Sequence, residues 1–561
     1  MLERARFWRK ETNPQTTQIL GPSLQPQQPS LEVRIFEEQH INATLTIQTE
    51  PQKQAAPVQK AEIFPSREAE KTPFERILII SNRLPADVVT TEKGQELVAT
   101  VGGLAKALHA VARNSEKNGN EKITNGNTNG KKNTPEIRWL GWDGQSNGQS
   151  EMEGLEEAFE TLSEDHIIKL HSLSLPKDEL DAYYHRISNN GFWMLFHGRE
   201  DLAKFDLKDW SIYNRVDQKF AIKGLDTARA EDFIWIQDYH QMRTAFYMRE
   251  LGVTNKIGFF LHIPFPNSDT LQHLPEQIRN DMLEGLLAHD IVGFQTEKDR
   301  NNFILSVLQY VPGASINTYK DRLVITKDGR SITVGAYPIS IDPQEIKDEL
   351  DNPAVHAKAE EFKNQFPGKK IISSISRLDP TKGIIETIDA YEEAVNEHPE
   401  HREETVLNLV AKPSRLDTPV YNELYEEVKR RVEQARKLGI LIQFIPGLTP
   451  AYALAMQQVS DIEIVGSTAD GMNLVAKEYA VAGPENGVLI LGRHAGAAQE
   501  LGEHALVINP SDTKAFAKAI SDALTMSEDE KIRRKAAMND QVHIHDVELW
   551  ADRYLNAARA A

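Results

Sequence analysis

Short apolar runs of strand length alternate along most of the chain with amphipathic stretches of helical length. The clearest runs are ERILIIS, RWLGWDG, DFIWIQD, KIGFFLH, DIVGFQT, KKIISSIS, VLNLVAK, LIQFIPG, IEIVGS, GVLILG and ALVIN. Strands that alternate with helices are typical of parallel sheets covered by helices on both faces. The runs form two sets, separated by the hairpin-like stretch RLVITKDGRSITVGAYP. The pattern therefore predicts an α/β protein with two doubly wound domains and a cleft between them.

Local composition sets the expected boundaries of these domains. Residues 1–74 are rich in Gln, Pro, Thr and Glu and lack a sustained hydrophobic period, which predicts a flexible N-terminal extension. We expect the first domain over 75–343, the second over 344–527, and a C-terminal helical segment over 528–561. Within the first domain, residues 114–133 are dominated by Asn, Gly and Lys. Because such residues bury little apolar area, they predict a polar surface-loop insertion.

Composition and charge exclude several classes of protein. The chain has 561 residues, 64 Lys plus Arg against 83 Asp plus Glu, and a formal net charge of -19, which disfavours nucleic acid as the main partner. It has no cysteine, which excludes disulfides, thiolate metal sites and cysteine nucleophiles. The start, MLERARFWRK, lacks the apolar region of a signal peptide, and no run reaches the ~18 apolar residues of a membrane helix. We therefore expect a cytoplasmic protein without a membrane partner.

Polar and charged residues follow several predicted strands, where ligands of doubly wound sheets bind. Asp238 follows DFIWIQ and His262 follows KIGFFL. Both side chains can hydrogen-bond a sugar, although a capping Asp and a core His fit the pattern equally well. Arg377 and Lys382 share one short loop, where two cations can neutralise a diphosphate, and Arg415 adds a cation after the next strand. These cations in an acidic chain predict a phosphorylated small substrate.

Glycines and a helix start supply further candidate contacts to phosphate. Gly102 and Gly103 open a helical stretch, where backbone can approach an anion, although a plain turn fits as well. Residues 470–478 form a loop that leads into a helix whose N-terminus can hold a phosphate, and Glu478 can reach ribose hydroxyls. HExxH, GxSxG and GxxxxGK[ST] are absent, so metalloprotease, hydrolase and P-loop functions lack their minimum parts.

Taken together, the motifs resemble those of the trehalose-6-phosphate synthases, a family of retaining glucosyltransferases with two facing Rossmann-like domains of the GT-B type. The resemblance runs from about Ile77 to about Leu555. It is carried, in order, by SNRLP, GG, GWDG, YY, SN, DYH, IGFFLHIPFP, RLDPTKG, KPSR, DGMNLVAKEY and HAGAAQEL. The resemblance implies transfer of glucose from UDP-glucose, or another nucleoside diphosphate glucose, to glucose 6-phosphate, which gives trehalose 6-phosphate.

The resemblance also assigns roles to individual residues, with the first domain binding the acceptor and the second the nucleotide sugar. The implied acceptor site consists of Arg83, Tyr184, Trp193, Asp238 and Arg415. The implied donor site consists of Gly102, Gly103, Arg377, Lys382, Asp470, Gly471, Met472, Asn473, Leu474, Val475 and Glu478. The implied catalytic residues are His262, Asp238, Arg377 and Lys382. No metal or other cofactor is implied, a homo-oligomer is possible, and a separate phosphatase would act on the product.

Several positions depart from the family pattern. Ala469 stands where the family has Arg, Pro380 where it has Tyr, and Gln237 where it usually has His. The stretch 436–452 is also shorter than in relatives, which bears on donor choice and rate. Two alternatives stay open: a glucosyltransferase with another phosphorylated acceptor, as in glucosylglycerol-phosphate synthases, and a catalytically weak regulatory relative.

Overall fold

The computed structural model describes residues 74–91, 94–99, 135–144, 168–320, 322–416 and 418–561, all of which belong to the unit Ile63–Ala561. Three expectations fall elsewhere. The extension 1–74 except for Phe74, the insertion 114–133, and the pair Gly102 and Gly103 lie outside the described residues. The boundaries expected between the two domains stay predictions.

The first sheet has nine strands in the order β5-β4-β1-β6-β7-β8-β11-β10-β9. These strands are β1 Arg76–Arg83, β4 Glu136–Trp142, β5 Ile168–Leu173, β6 Phe233–Gln237, β7 Ile257–Phe260, β8 Ile291–Phe294, β9 Ser315–Tyr319, β10 Arg322–Lys327 and β11 Arg330–Ala336. Strands from β5 to β11 run parallel along this order, and β10 and β9 are antiparallel additions at one edge. A separate antiparallel hairpin pairs β2 Ala86–Thr91 with β3 Gly94–Ala99.

The second sheet has six strands, all parallel, in the order β14-β13-β12-β15-β16-β17. They are β12 Lys370–Arg377, β13 Thr405–Lys412, β14 Ile442–Ile445, β15 Ile462–Val465, β16 Val488–Gly492 and β17 Leu506–Ile508. Most central strands of both sheets are largely apolar. Every residue of β6, β7, β8, β15 and β16 is buried, as expected for parallel strands covered on both faces.

Helices cover both sheets. The α-helices are Lys177–Leu180, Met194–Phe196, Leu207–Thr227, Thr244–Glu250, Glu276–Leu286, Glu297–Tyr310, Pro343–Leu350, Pro353–Gln365, Ile384–Glu397, Pro399–Glu404, Pro419–Lys437, Pro450–Gln458, Leu474–Ala482, Ala498–Leu501, Thr513–Thr525, Glu528–Ile544 and Val547–Ala560. The segments Tyr239–Gln241 and Thr270–His273 are 3₁₀ turns, and Asp181–Trp193 is a π-helix. Among the described residues, no helix is both long and apolar enough to cross a membrane.

The end of the chain returns from the second sheet to the first. The helix Glu528–Ile544 contributes Met538 and Val542 to a core cluster of the second sheet. The next helix, Val547–Ala560, packs instead on the first sheet, where the Tyr554 ring stacks on Trp235 at 4.7 Å between centroids. The predicted helical segment is therefore two helices that contact different sheets.

All of the apolar runs quoted from the sequence form strands, and the predicted doubly wound architecture is confirmed. The hairpin-like stretch forms β10 and β11, and β11 joins the first sheet beside β8. Sequence analysis missed β5, β9 and the β2–β3 hairpin. β5 alternates buried and partly exposed residues, and β9 is largely exposed at the sheet edge, so neither produces a strong apolar run.

The return of the last helix predicts that its aromatic residues stabilise the first sheet. Trp550 is 2% exposed and lies 5.4 Å from the Phe260 ring, centroid to centroid. Trp550→Ala should lower the free energy of unfolding by about 3–5 kcal/mol, because it leaves a cavity in this core. Urea denaturation followed by far-UV circular dichroism measures the change. The matched control is Ile544→Ala, at a position 57% exposed, which should change stability by less than about 0.5 kcal/mol. Equal losses in the two variants would contradict the prediction.

Candidate functional site

A cleft of about 580 Å³ lies at the carboxyl ends of the two sheets. Residues at or just after the carboxyl ends of β1, β6 and β7 line one wall, and residues at or just after those of β12, β13 and β15 line the other. The predicted site residues that line it are Tyr184, Trp193, Asp238, His262, Arg377, Lys382, Arg415, Asp470, Met472, Asn473, Leu474, Val475 and Glu478. The structure thus brings together residues that are spread over about 300 positions of the sequence.

Arg83 lies beside this cleft, at the exposed end of β1. Its guanidinium carbon is 5.6 Å from the centroid of the Trp142 ring, and that ring lies 6.1 Å from the Tyr184 ring. The neighbouring residue, Asn82, lines the cleft itself. Arg83 is therefore close to the predicted acceptor residues, at the rim of the cleft.

Gly471 explains how the two walls approach so closely. A Cβ atom at this position would lie 2.0 Å from the carbonyl oxygen of His262, which no larger residue can tolerate. The loop that carries Asp470 can therefore touch the loop after β7 only because residue 471 is glycine.

Asp238 is held in a strained conformation at the end of β6. Its backbone angles, φ 70° and ψ 170°, fall in a region that glycine normally occupies. Its Oδ1 accepts a hydrogen bond from the backbone amide of His262 at 3.1 Å. Burial raises the pKa of Asp238 to about 7, although hydrogen bonds from the amides of His262 and Tyr239 oppose the shift. The carboxyl group therefore changes its charge near neutral pH.

Both ring nitrogens of His262 are occupied by glutamine side chains. Nε2 is 3.0 Å from Oε1 of Gln237, and Nδ1 is 3.4 Å from Nε2 of Gln295. Burial lowers the pKa of His262 to about 3, so the ring is neutral at physiological pH. A neutral ring donates from Nε2 to Gln237 and accepts at Nδ1 from Gln295. His262 is therefore suited to shape the cleft, and neither ring nitrogen is free to take a proton.

The two cations of the predicted diphosphate site differ, because in the described part of the chain Lys382 is paired with a carboxylate and Arg377 is not. Lys382 forms an ion pair with Asp470, whose carboxylate also accepts a hydrogen bond from Asn473 Nδ2 at 2.7 Å. Arg377 is exposed at the end of β12 and has no carboxylate partner among the described residues. An anionic ligand can thus meet Arg377 directly, whereas at Lys382 it competes with Asp470.

The start of the helix Leu474–Ala482 completes this side of the cleft. Leu474 and Val475 line the cleft at the first helical turn, where backbone N–H groups lack partners within the helix. Glu478 lines the cleft one turn further along. The helix N-terminus and Arg377 therefore provide adjacent positive potential for a phosphate.

Trp193 lies at the centre of the charged residues. The centroid of its ring is 5.1 Å from the Arg377 guanidinium carbon, 5.8 Å from Lys382 Nζ and 5.2 Å from the Arg415 guanidinium carbon. Three cations, predicted to serve two substrates, thus surround one indole that is 6% exposed. This geometry makes the cleft suited to bind two phosphorylated groups close together.

Sequence reasoning missed several residues of this site. Asp379 and Tyr421 lie behind Trp193 and Arg415, and Gln295 contacts His262. Asp379 belongs to the motif RLDPTKG and Gln295 directly follows the predicted strand in DIVGFQT, so the sequence carried a signal for both, whereas Tyr421 stands in helical sequence without a distinctive pattern.

Two of the departures from the family pattern lie outside the cleft. Ala469 and Pro380 line a neighbouring cavity of about 1010 Å³. Neither residue is among those that line the cleft.

Comparisons with known proteins agree with this geometry. A family model described as Glycosyltransferase family 20 matches residues 75–560. A bifunctional trehalose-6-phosphate synthase/phosphatase of Thermoproteus tenax is 36% identical over 491 residues, which are 86% of this chain and 63% of that protein. A trehalose-6-phosphate synthase of Escherichia coli O1:K1 / APEC is 34% identical over 499 residues, 86% of this chain and 95% of that protein.

A solved structure supports the same relationship. The crystal structure of a UDP-forming α,α-trehalose-phosphate synthase from Burkholderia xenovorans in complex with glucose-6-phosphate superposes with a TM-score of 0.74 at 28% identity, covering 86% of this chain and 100% of that one. This likeness confirms the predicted GT-B fold. The family model covers nearly all of the described chain, and the chain therefore belongs to glycosyltransferase family 20, among relatives that are trehalose-6-phosphate synthases.

Proposed function

We propose that this chain transfers glucose from UDP-glucose to glucose 6-phosphate and releases trehalose 6-phosphate. The observation that carries the proposal is the group of three cations around Trp193, beside Asp238 and the start of the helix Leu474–Ala482. A substrate pair with a diphosphate on one partner and a phosphate on the other matches this charge distribution. The relatives named above carry the same activity in their names.

The donor side of the cleft stabilises the leaving group. When the bond between the glucosyl carbon and the diphosphate oxygen breaks, negative charge grows on the diphosphate while the sugar becomes oxocarbenium-like. Arg377 and the N–H groups at Leu474 and Val475 are already in place for that charge, so they stabilise the transition state more than the bound substrate. As this charge grows, Lys382 can leave its ion pair with Asp470 and pair with the phosphate instead.

The acceptor side holds glucose 6-phosphate between charge and hydrogen-bonding groups. Arg415 would bind its phosphate, with Arg83 at the rim as a second cation. Tyr184 and Asp238 would hydrogen-bond the sugar hydroxyls, and Trp193 would border the acceptor sugar from the wall of the cleft. Exclusion of water from the filled cleft would favour transfer to the sugar over hydrolysis of the donor.

The deciding experiment measures nucleotide release by the purified full chain with UDP-glucose and with ADP-glucose, each with and without glucose 6-phosphate. Mass spectrometry and NMR identify the sugar product and its linkage. Acceptor-dependent release of UDP with a nonreducing disaccharide phosphate is expected. Release only with another phosphorylated acceptor would favour the glucosylglycerol-phosphate-type activity, and absence of release with glucose 6-phosphate still bound would favour a regulatory role. A separate phosphatase that acts on the product stays a prediction.

Arg377→Ala should lower kcat for transfer by about 10²–10³, because one preorganised group that faces the developing charge is typically worth that factor. Steady-state assays of UDP release measure the effect. The matched control is Arg430→Ala, since Arg430 is an exposed arginine of the same half of the chain that pairs with Glu427 on a helix surface. An unchanged kcat in Arg377→Ala would contradict the assignment of the diphosphate site.

Arg415→Ala should act on the acceptor instead of the donor. We expect the KM for glucose 6-phosphate to rise about 10- to 100-fold, because a hydrogen bond to a charged group is worth about 1.5–3 kcal/mol. The KM for UDP-glucose should change much less. Varying each substrate at saturation of the other separates the two effects. A variant with unaltered dependence on glucose 6-phosphate would rule out this role for Arg415.

Asp238 predicts how acceptor binding depends on pH. With a pKa raised to about 7, the carboxyl group is mostly protonated at pH 6 and mostly ionised at pH 8. Because an ionised carboxylate accepts stronger hydrogen bonds from sugar hydroxyls, affinity for glucose 6-phosphate should rise by up to about tenfold over this interval. Isothermal titration calorimetry at pH 6, 7 and 8 measures it. Asp238→Asn keeps the titration of the phosphate itself, so the same pH dependence in this variant and the wild type would contradict the prediction.

A further inference from the structure

Asp379 is a buried carboxylate that the roles described above do not use. It is 1% exposed and lies in the short loop between β12 and the helix Ile384–Glu397. Its Oδ1 accepts hydrogen bonds from the backbone amide of Thr381 at 3.0 Å and the Thr381 hydroxyl at 2.8 Å. It thereby shapes the loop that carries Lys382. A neutral oxygen could accept the hydrogen bonds of this turn. The other contacts of the carboxylate therefore indicate what its charge is for.

Those contacts reach both walls of the cleft. Oδ1 also accepts a hydrogen bond from the indole Nε1 of Trp193 at 3.4 Å, although Trp193 stands 186 positions earlier in the chain. Oδ2 accepts a hydrogen bond from the Tyr421 hydroxyl at 3.1 Å. One carboxylate thus contacts the aromatic centre of the cleft and a side chain of the helix Pro419–Lys437.

Tyr421 continues this network to the acceptor cation. Its hydroxyl accepts a hydrogen bond from Arg415 Nη1 at 2.6 Å while it donates to Asp379. Tyr421 is fully buried, and burial, together with the charge of Asp379, raises the pKa of the hydroxyl, so that it keeps the proton it donates. Arg415 itself has a left-handed backbone with φ 54°, a conformation that a non-glycine residue holds only when its surroundings fix it.

The charges around Asp379 keep it ionised. Burial alone would raise the pKa of Asp379, but Lys382, Arg377 and Arg415 outweigh burial and lower the pKa to about 2. These are the same cations that surround Trp193. Asp379 is therefore a permanent anion behind the cations of both predicted phosphate sites.

We propose that Asp379 is a positioning residue for the acceptor site: through Tyr421 it fixes the guanidinium of Arg415, and through the indole N–H it fixes Trp193. This inference rests on the proposed function, because it takes Arg415 as the group that binds the phosphate of glucose 6-phosphate. We call this chain of contacts from Asp379 through Tyr421 to Arg415 the relay. The donor cation Arg377 does not depend on it, since Arg377 is exposed at the end of β12 and faces the cleft directly. Loss of the relay should therefore weaken binding of the acceptor more than binding of the donor.

Tyr421→Phe tests the relay with the smallest change, because it removes one hydroxyl and leaves Asp379, its loop and the ring in place. We expect the KM and the calorimetric Kd for glucose 6-phosphate to rise about 5- to 20-fold, with less than a twofold change in the KM for UDP-glucose. The matched control is Tyr391→Phe, which removes the hydroxyl of another fully buried tyrosine, bonded to Thr405 away from the cleft. It should leave both substrates unaffected. Equal effects of the two variants on glucose 6-phosphate, or an unchanged Kd in Tyr421→Phe, would overturn the proposal.

Asp379→Asn tests the carboxylate itself. It removes the charge but keeps an oxygen that can accept the hydrogen bonds of Thr381. Thermal melting and circular dichroism establish that the variant is folded. In the folded variant, the Kd for glucose 6-phosphate should rise at least as much as in Tyr421→Phe, and the double variant should be no weaker than Asp379→Asn alone, because both changes break one path. If the factors by which the two single changes raise the Kd multiply in the double variant, the two residues act independently and the relay is wrong.

The binding readout separates this inference from the proposed function. If the wild-type chain binds glucose 6-phosphate but forms no disaccharide, the proposed transfer fails while the relay is still tested by the Kd values. If transfer occurs and Tyr421→Phe lowers kcat without changing the dependence on glucose 6-phosphate, the relay fails while the proposed function stands. If the wild-type chain binds no glucose 6-phosphate, both fail.

Discussion

Mutual repulsion of cations is the constraint on which the cleft depends. Arg377, Lys382 and Arg415 lie within 5.8 Å of one indole centroid, and like charges gathered around one side chain repel each other. The face of Trp193 offsets part of this repulsion, because the π system attracts cations. The carboxylates of Asp379 and Asp470 offset more. The two carboxylates differ in accessibility, and this difference decides which of them a substrate phosphate can replace as the partner of a cation. Asp379 is buried behind the cations and stays with them, whereas Asp470 lines the cleft and faces the incoming ligand.

This charge arrangement requires both halves of the chain. The cations come from the last residue of β12 and from the loops after β12 and β13, and the indole that they surround comes from the π-helix Asp181–Trp193 beside the first sheet. A glycine at position 471 lets the loops of the two halves touch, and Asp379 bonds across the boundary to Trp193. The hydrogen bonds of a π-helix span one residue more than those of an α-helix, and such segments are frequent at functional sites. The position of the indole therefore depends on an irregular helix, and the position of the cations depends on regular strand ends.

Periodic features such as buried strands could be predicted from the sequence, whereas most contacts between side chains from distant segments could not. Strands β6, β7 and β8 were recognisable because burial on both faces makes them continuous apolar runs, and the residues after them could be placed at one edge by the geometry of parallel sheets. The roles of Arg415 and Trp193 came from resemblance to a family. No pattern connects Tyr421 with Asp379, which stands 42 positions away, because side-chain contacts between distant segments leave no period in the sequence. The proximity of Gln295 and His262, by contrast, follows from the same strand-end argument, because they come just after the neighbouring parallel strands β8 and β7. An amphipathic helix likewise shows that one face is covered but does not identify the covering sheet, so the different contacts of the last two helices could not be predicted.

The helix that starts the donor site is tied to the segment between the two sheets. Lys477, which is 1% exposed, forms an ion pair with Glu500 at 2.6 Å and donates a hydrogen bond to the carbonyl oxygen of Ile339 at 2.8 Å. Ile339 lies between β11, the last strand of the first half, and the helix Pro343–Leu350. Breaking a buried pair by removing one partner typically costs about 3–5 kcal/mol, because the other charge is left without compensation. Because this loss is large, Lys477 holds the helix Leu474–Ala482 firmly against the connecting segment at Ile339. The N–H groups at Leu474 and Val475, one turn earlier in the same helix, consequently take their position from the junction of the two halves as well as from the second sheet.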